Sequence, residues 1–269
     1  MSLPRHLLST VADAAATVAA GGMVVVLDDA DRENEADLVM AAEFADTDAM
    51  AFFIEHTSGL PVITVGQLQE HLKVVPTGNA PVPTDRGRAH AYAYRSGGVE
   101  HLAMVYGDIA ERAEVLVRVH SECMTGDLFG SAKCDCGQQL SASVDAIVAA
   151  GGGVVVYLTG HEGRGIGLGR KLRAYRRQAE GLDTVDANVA VGAPVDARDY
   201  GVAAQILAHL GVEEVALLTN NPDKVDRLTD FGIPVGRRIP VEVAAGAENI
   251  RYLQTKRDRM GHLLGQFTG

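Results

Sequence analysis

Apolar runs alternate with amphipathic segments along most of the chain, and this pattern predicts strands and helices in turn. In the first part, residues 5–20 are predicted to form a helix, and the apolar runs 23–27 and 38–42 are predicted to form strands. A second helix is predicted over 46–56, because the Thr and Asp residues at its start can cap the first free N–H groups.

The composition changes between residues 76 and 88, where Pro, Gly, Asn and Thr break the apolar periodicity. We expect a boundary there between a first module, 1–75, and a second domain, 76–269. Beyond it, strands and helices alternate, which is typical of an α/β layered domain. The strands are predicted at 89–94, 101–106, 115–120, 154–158 and 215–219, and the helices at 140–150, 168–180, 199–210 and 223–231.

The composition is that of an ordinary globular protein, with 47% hydrophobic and 22% charged residues. The formal net charge of −11 argues against duplex DNA or an anionic membrane as partner, since both require a basic surface. It does not exclude a small anionic ligand. No apolar run is long enough for a membrane span, and the N-terminus lacks a secretory signal. We expect a cytoplasmic protein, because reduced, clustered cysteines are typical of that compartment.

All three cysteines lie close together, at positions 123, 134 and 136. Three thiolates can hold a tetrahedral zinc ion and leave its fourth position open, as catalytic zinc sites do. The alternative is a structural site in which His120 supplies a fourth ligand. A disulfide is disfavoured by the odd number of cysteines and by the strain of bridging positions 134 and 136, and an iron–sulfur cluster would require a fourth cysteine.

A glycine-rich segment, residues 159–171, follows a predicted strand and opens a predicted helix. Its backbone N–H groups can converge on an anion at the helix N-terminus, although the segment matches neither the Walker A nor the dinucleotide pattern. A tight turn between strand and helix is the alternative. Basic side chains favour phosphate over this alternative, although any of them could instead face solvent: Arg164, Arg170, Lys171 and Arg173.

Two further motifs are ambiguous in isolation. Asn221 as N-cap and Pro222 as the first helical residue would suit the start of any helix. Thr219 and Lys224, at the same strand end, are nevertheless well placed to bind an anion. The segment 196–199 could be a surface ion pair of little energetic importance.

Taken together, these motifs closely resemble GTP cyclohydrolase II, from about Thr77 to Leu264. The resemblance rests on RVHSEC at 118–123, CDCG at 134–137, EGR at 162–164, DTVDAN at 183–188, DARD at 196–199, LLTNNP at 217–222 and MGHLL at 260–264. It implies that Cys123, Cys134 and Cys136 bind a catalytic Zn²⁺. It also implies a set of GTP-binding residues: Arg118, Val119, His120, Ser121, Glu122, Gln139, Glu162, Gly163, Arg164, Thr184, Thr219 and Lys224.

The family reaction implies that zinc activates the water that attacks C8 of guanine, after which C8 leaves as formate. Pyrophosphate leaves separately, with Mg²⁺ on the phosphates. The resemblance makes Arg198 the nucleophile at phosphorus and Asp196 its proton acceptor, with Tyr175 near the opened ring. A guanidinium stays protonated up to about pH 12 and normally clamps phosphate, so both roles stay open for Arg198. The family also implies a homodimer, and Thr159 stands where it usually has Arg.

The first 75 residues resemble the start of 3,4-dihydroxy-2-butanone 4-phosphate synthase. GMVVVLDD at 22–29 and DRENEAD at 31–37 correspond to that family's substrate and Mg²⁺ loop, with Ala36 in place of its glycine and Val62 in place of its cysteine. Such a synthase needs a domain of roughly 200 residues, most of which is missing. We expect an inactive remnant that packs on the cyclohydrolase or assists dimerisation.

The sequence therefore predicts an α/β protein: a layered, mixed-sheet GTP cyclohydrolase II domain preceded by a small α/β remnant module. Two alternatives remain. One is an enzyme that opens the GTP ring and stops at the formylamino pyrimidine, and the other is a non-catalytic zinc protein that senses nucleotide. Asp196, Arg198 and Tyr175 disfavour the sensor, which would need none of them.

Overall fold

The computed structural model describes residues 10–27, 36–46, 48–49, 52–53, 73–110, 112–192 and 198–265 of the 269-residue chain. The chain divides into two compact units, residues 1–73 and 74–269. Among the helices of the described ranges, none combines the length and the apolar character that a membrane crossing requires.

The first unit contains helix α1 (Val11–Ala19) and strands β1 (Val24–Leu27) and β2 (Ala36–Val39). Thr10 caps α1, because its Oγ1 accepts a hydrogen bond from the N–H of Asp13 at 3.1 Å. The two strands pair antiparallel. The start of the predicted first helix and most of the predicted 46–56 helix lie outside the described residues, as does the acidic loop 28–35.

The second unit is built on one sheet. Its strands are β3 (Val75–Thr84), β4 (Gly87–Ser96), β5 (Val99–Gly107), β6 (Val115–Ser121), β7 (Gly152–Leu158), β8 (Val215–Leu218) and β9 (Val235–Ile239). Its helices are α2 (Met124–Asp127), α3 (Cys136–Ala149), α4 (Leu168–Ala179), α5 (Thr184–Ala190), α6 (Gly201–His209), α7 (Pro222–Asp230) and α8 (Ile250–Met260).

The seven strands lie in the order β3-β4-β5-β7-β6-β8-β9. Pairing is antiparallel from β3 to β7 and parallel from β7 to β9. The predicted mixed sheet is therefore confirmed. In its parallel half, the carboxyl ends of β6, β7, β8 and β9 lie at one edge, where open α/β sheets usually bind ligands.

Apolar side chains cover both faces of this sheet, because successive residues of a strand point to opposite sides. On β7, Val154 and Val156 belong to one core cluster with Ile206 of α6. Val155, between them, belongs to a second cluster with Ile147 of α3. The sheet is thus packed between helices on both faces, as the α/β layered prediction required.

Residues 76–88, whose composition breaks the apolar periodicity, form regular structure. They form most of strand β3, the turn after it and the start of β4, with Val82 opposite Ala89. β3 is an edge strand with mostly exposed side chains, so no apolar alternation marks it, and prolines are tolerated at such an edge. Strand β9 and helices α5 and α8 were also missed by the sequence analysis.

Candidate metal centre and active site

One cleft lies at the carboxyl edge of the parallel strands and has an empty volume of about 1020 Å³, part of it open to solvent. Its wall includes Arg118, His120 and Ser121 of β6. The segments that follow β7 and β8 complete this part of the wall, including Arg164 and Lys224. Concave sites in which a few polar groups converge are typical of small-molecule binding sites.

The three cysteines converge on this cleft. Their sulfur atoms all lie within 4.8 Å of one another, and those of Cys123 and Cys134 are 3.6 Å apart. Cys123 immediately precedes α2, and Cys136 begins α3. In a tetrahedral site with Zn–S bonds of about 2.3 Å, the sulfur atoms are about 3.8 Å apart. The cluster therefore fits a zinc ion.

Two glycines allow this convergence. A Cβ atom on Gly126 would lie 2.8 Å from the sulfur of Cys134 and 3.0 Å from that of Cys123. A Cβ on Gly137 would lie 2.3 Å from the carbonyl oxygen of Gly126. Helices α2 and α3 can approach closely only because both positions lack a side chain.

His120 is not part of the metal cluster. In the described part of the chain, the group that could hold a metal consists of the three cysteines. The His120 Nε2 lies 3.0 Å from the Asp127 carboxylate, and its Nδ1 lies 3.4 Å from Nη2 of Arg118. Burial lowers the pKa of His120, so the ring is neutral. The three-cysteine arrangement favours the open fourth position of a catalytic site over a structural Cys3His site.

Lys171 contacts one of the cysteines. Its Nζ donates to Oε1 of Glu162 at 2.6 Å, to Oγ1 of Thr125 at 2.8 Å and to Sγ of Cys123 at 3.1 Å. Although burial opposes it, the hydrogen bond to Glu162 raises the pKa of Lys171, which is therefore charged at neutral pH. Glu162 also accepts the N–H of Met124 at 2.7 Å and so anchors the start of α2.

The cleft is cationic although the chain is acidic. Six basic side chains line it: Arg118, Arg164, Lys171, Arg198, Lys224 and Lys256. Among the described residues of its lining, Glu122 is the one carboxylate. Two of the six, Lys171 and Lys256, are paired with carboxylates behind the wall, Glu162 and Asp135. The guanidinium groups of the wall suit phosphate in particular.

Arg164 has a strained backbone. It is the one non-glycine residue of the described ranges with a positive φ, 69°. This left-handed conformation costs roughly 1–2 kcal/mol outside glycine. Such strain is usually found where a side chain must be presented to a ligand, and Arg164 lines the cleft.

The cleft brings together most of the residues that the sequence indicated. Those that line it are Arg118, His120, Ser121, Glu122, Cys123, Cys134, Cys136, Gln139, Gly163, Arg164, Tyr175, Thr184, Arg198, Thr219 and Lys224. Val119 does not, because its side chain is fully buried in the core and its carbonyl oxygen accepts Nζ of Lys224 at 2.8 Å. Glu162 lies behind the wall, against Lys171. Asp196 is outside the described residues.

The sequence analysis missed several residues of the wall. Tyr252, Lys256 and Met260 of α8 line the cleft, and so does His262 just after the helix. The spacing of four residues places the first three on one face of a helix, and Met260 and His262 also belong to the MGHLL motif, although no role was assigned to either. Asp127 was not indicated by any motif, and Asp135 belongs to the CDCG motif but was not assigned a role; both contact the segments that carry the cysteines.

Comparison with known proteins agrees with this geometry. The family model for GTP cyclohydrolase II matches residues 75–240. The chain belongs to the GTP cyclohydrolase II family. A second model, for 3,4-dihydroxy-2-butanone 4-phosphate synthase, matches residues 12–89. Both predicted resemblances are thus confirmed. The GTP cyclohydrolase II match ends before α8, so four residues of the cleft wall lie beyond it.

Several relatives are similar over most of this GTP cyclohydrolase II family chain. It is 55% identical over 71% of its length to the riboflavin biosynthesis protein RibBA of Nocardia farcinica, covering 46% of that protein. It is 51% identical over 81% of its length to RibBA of Mycobacterium ulcerans, covering 54%. It is 55% identical over 71% of its length to a probable bifunctional riboflavin biosynthesis protein of Oryza sativa subsp. japonica, covering 35% of that protein. The chain thus spans about half or less of these relatives.

Replacing Gly126 by alanine tests whether close helix packing forms the metal centre. The new methyl group would overlap two sulfur atoms, so we expect Gly126→Ala to bind zinc at least about tenfold more weakly. The measurement is a zinc titration against a chromophoric chelator. Gly169→Ala is the control, since nothing lies within 4 Å of its added Cβ. Equal zinc affinity in the two variants would contradict this account.

Proposed function

We propose that residues 76–269 catalyse the zinc-dependent hydrolysis of GTP to 2,5-diamino-6-ribosylamino-4(3H)-pyrimidinone 5′-phosphate, formate and pyrophosphate. The observation that carries this proposal is the convergence of three cysteine sulfurs in a cleft lined by six basic side chains. Membership of the GTP cyclohydrolase II family supports the same reaction. Because relatives are named riboflavin biosynthesis proteins, we propose entry into that pathway or a specialised one.

The cationic wall is proposed to bind the triphosphate. The Arg118 guanidinium lies at the base of the cleft, where its Nη1 donates to the carbonyl of Leu218 at 3.0 Å. Arg198 packs 5.6 Å from the ring centre of Tyr200, and this ring also contacts Lys224 at 5.1 Å. Mg²⁺ is proposed on the phosphates, and Arg198 is essential whether it clamps phosphate or attacks it.

A zinc ion held by Cys123, Cys134 and Cys136 would supply Lewis-acid activation of water near neutral pH. Tyr175 is proposed to orient the opened ring beside this centre. Burial raises the pKa of Tyr175, so its phenol stays protonated and can both donate and accept a hydrogen bond. Its ring lies 5.6 Å from Nζ of Lys171, which itself contacts Cys123.

Incubation of the purified chain with GTP tests the reaction directly. We expect loss of GTP, one formate and one pyrophosphate per GTP consumed, and a product with the mass of the diamino pyrimidine. Cys134→Ser should lose zinc and at least about a hundredfold in formate release, since a hydroxyl is a poor zinc ligand. Binding of GTP without turnover would instead indicate a sensor, and full activity of zinc-free Cys134→Ser would exclude zinc catalysis.

Tyr175 is predicted to be required for the second hydrolysis. After ring opening, the formamide must be held for another attack by water, and the phenol hydroxyl supplies its polar partner. Tyr175→Met and Tyr175→Phe should both consume GTP but accumulate the formylamino pyrimidine, as measured by product mass against time. If both variants release formate as fast as the parent, Tyr175 only packs the helix.

We propose that the first 75 residues have no synthase activity. Most of such a domain is missing, and a lone acidic loop cannot orient the enediol chemistry that a metal-dependent synthase performs. Incubation with ribulose 5-phosphate and Mg²⁺ should release no formate and no butanone phosphate. Detection of either product by mass spectrometry would refute the interpretation as an inactive remnant.

A homodimer and a cytoplasmic location remain predictions.

A further inference from the structure

Helix α8 is anchored beside the metal centre although it lies beyond the GTP cyclohydrolase II match. Leu253 of this helix is fully buried. After the helix, the N–H of Leu263 donates to the carbonyl of Asn220 at 2.9 Å. These contacts hold the helix face that carries Lys256 towards the cleft.

Lys256 forms a buried ion pair with the residue between two of the cysteines. Its Nζ lies 2.7 Å from Oδ1 of Asp135, and the two side chains are 11% and 1% exposed. Oδ2 of Asp135 accepts Nε2 of Gln139 at 2.5 Å. Both carboxylate oxygens are therefore bound, one by an ammonium from α8 and the other by an amide from α3.

The cysteines are anchored in two separate ways. On one side, the N–H of Cys123 donates to Asp127 at 3.0 Å, and Asp127 also accepts the hydroxyl of Tyr157 at 2.8 Å. On the other side, Cys134 and Cys136 flank Asp135, whose carboxylate has Lys256 as its direct ion-pair partner and is also stabilised by the more distant charge of Arg118. Removal of one partner from a buried ion pair leaves the other charge uncompensated, which is strongly destabilising. We expect the Asp135 carboxylate to turn towards water when Lys256 is removed.

We propose that Lys256 is a positioning residue for the metal centre: by holding Asp135, it keeps Cys134 and Cys136 turned towards Cys123. Groups behind a metal ligand orient it, and their loss typically weakens metal binding by about 10–100-fold. This inference rests on the proposed zinc centre and is independent of the substrate.

The test measures zinc affinity of the purified full chain by competition with a chromophoric chelator, without GTP. Lys256→Met should weaken zinc binding by about 10–100-fold, and Co²⁺ bound in its place should show an altered thiolate charge-transfer band. Lys256→Arg, which keeps the charge, should restore most of the affinity. Arg251→Met is the control, because it removes a positive charge from an exposed position of the same helix.

A role limited to docking α8 predicts a different result. Lys256→Met would then lower the melting temperature of the zinc-free protein while leaving zinc affinity and the Co²⁺ spectrum unchanged, and this result would overturn the proposal. If Lys256→Met does not fold, zinc affinity is compared between Asp135→Asn and the double variant Asp135→Asn/Lys256→Met. The proposal expects little further loss in the double variant, and a loss of tenfold or more would contradict it. Failure of the parent chain to bind zinc would overturn the metal centre as well.

Discussion

Three sulfur atoms within 4.8 Å of one another are a demanding arrangement, and the rest of the site depends on it. Thiolates repel one another, so the backbone segments that carry them must be held by other contacts until a cation neutralises them. The fold supplies these contacts through side chains that bind the cysteine segments. Asp127 holds the N–H of Cys123, and Asp135 is held by Gln139 and Lys256. Gly126 and Gly137 then let two helix starts approach without steric overlap.

The position of this cluster follows from the sheet. Parallel strands β6, β7 and β8 end at the same edge, so the segments that follow them meet there whatever their separation in sequence. One of these segments carries Cys123, the next carries Arg164, and the third carries Thr219 and Lys224. A chain of net charge −11 thereby concentrates basic groups in a single cleft. The net charge of the whole chain therefore does not describe the charge of this cleft.

Sequence reasoning succeeded where the chemistry is local. The cysteine spacing, the glycine-rich segment and the strand ends each lie within a few consecutive residues, and their motifs identified most of the cleft. It failed for contacts between distant parts of the chain. Asp135 and Lys256 are 121 residues apart, and although Asp135 lies inside the CDCG motif, nothing in the sequence indicates Lys256 as its partner. Strand β3 was missed for another reason, because an exposed edge strand rich in proline lacks the apolar alternation that marks buried strands.

Arg118 is a buried cation at the carboxyl edge of the parallel strands. Its guanidinium is buried, and its hydrogen-bond partners are neutral: the carbonyl of Leu218, Oε1 of Gln139 and the His120 ring. Burial lowers the pKa of Arg118, because it keeps the charged guanidinium away from water. Its Nε has no hydrogen-bond partner within the described structure. Lys171 and Lys256 differ, since each has a carboxylate at 2.6–2.7 Å. The two ammonium groups are thus each neutralised by a carboxylate of the protein, whereas the hydrogen bonds of Arg118 leave its charge without a directly bonded carboxylate.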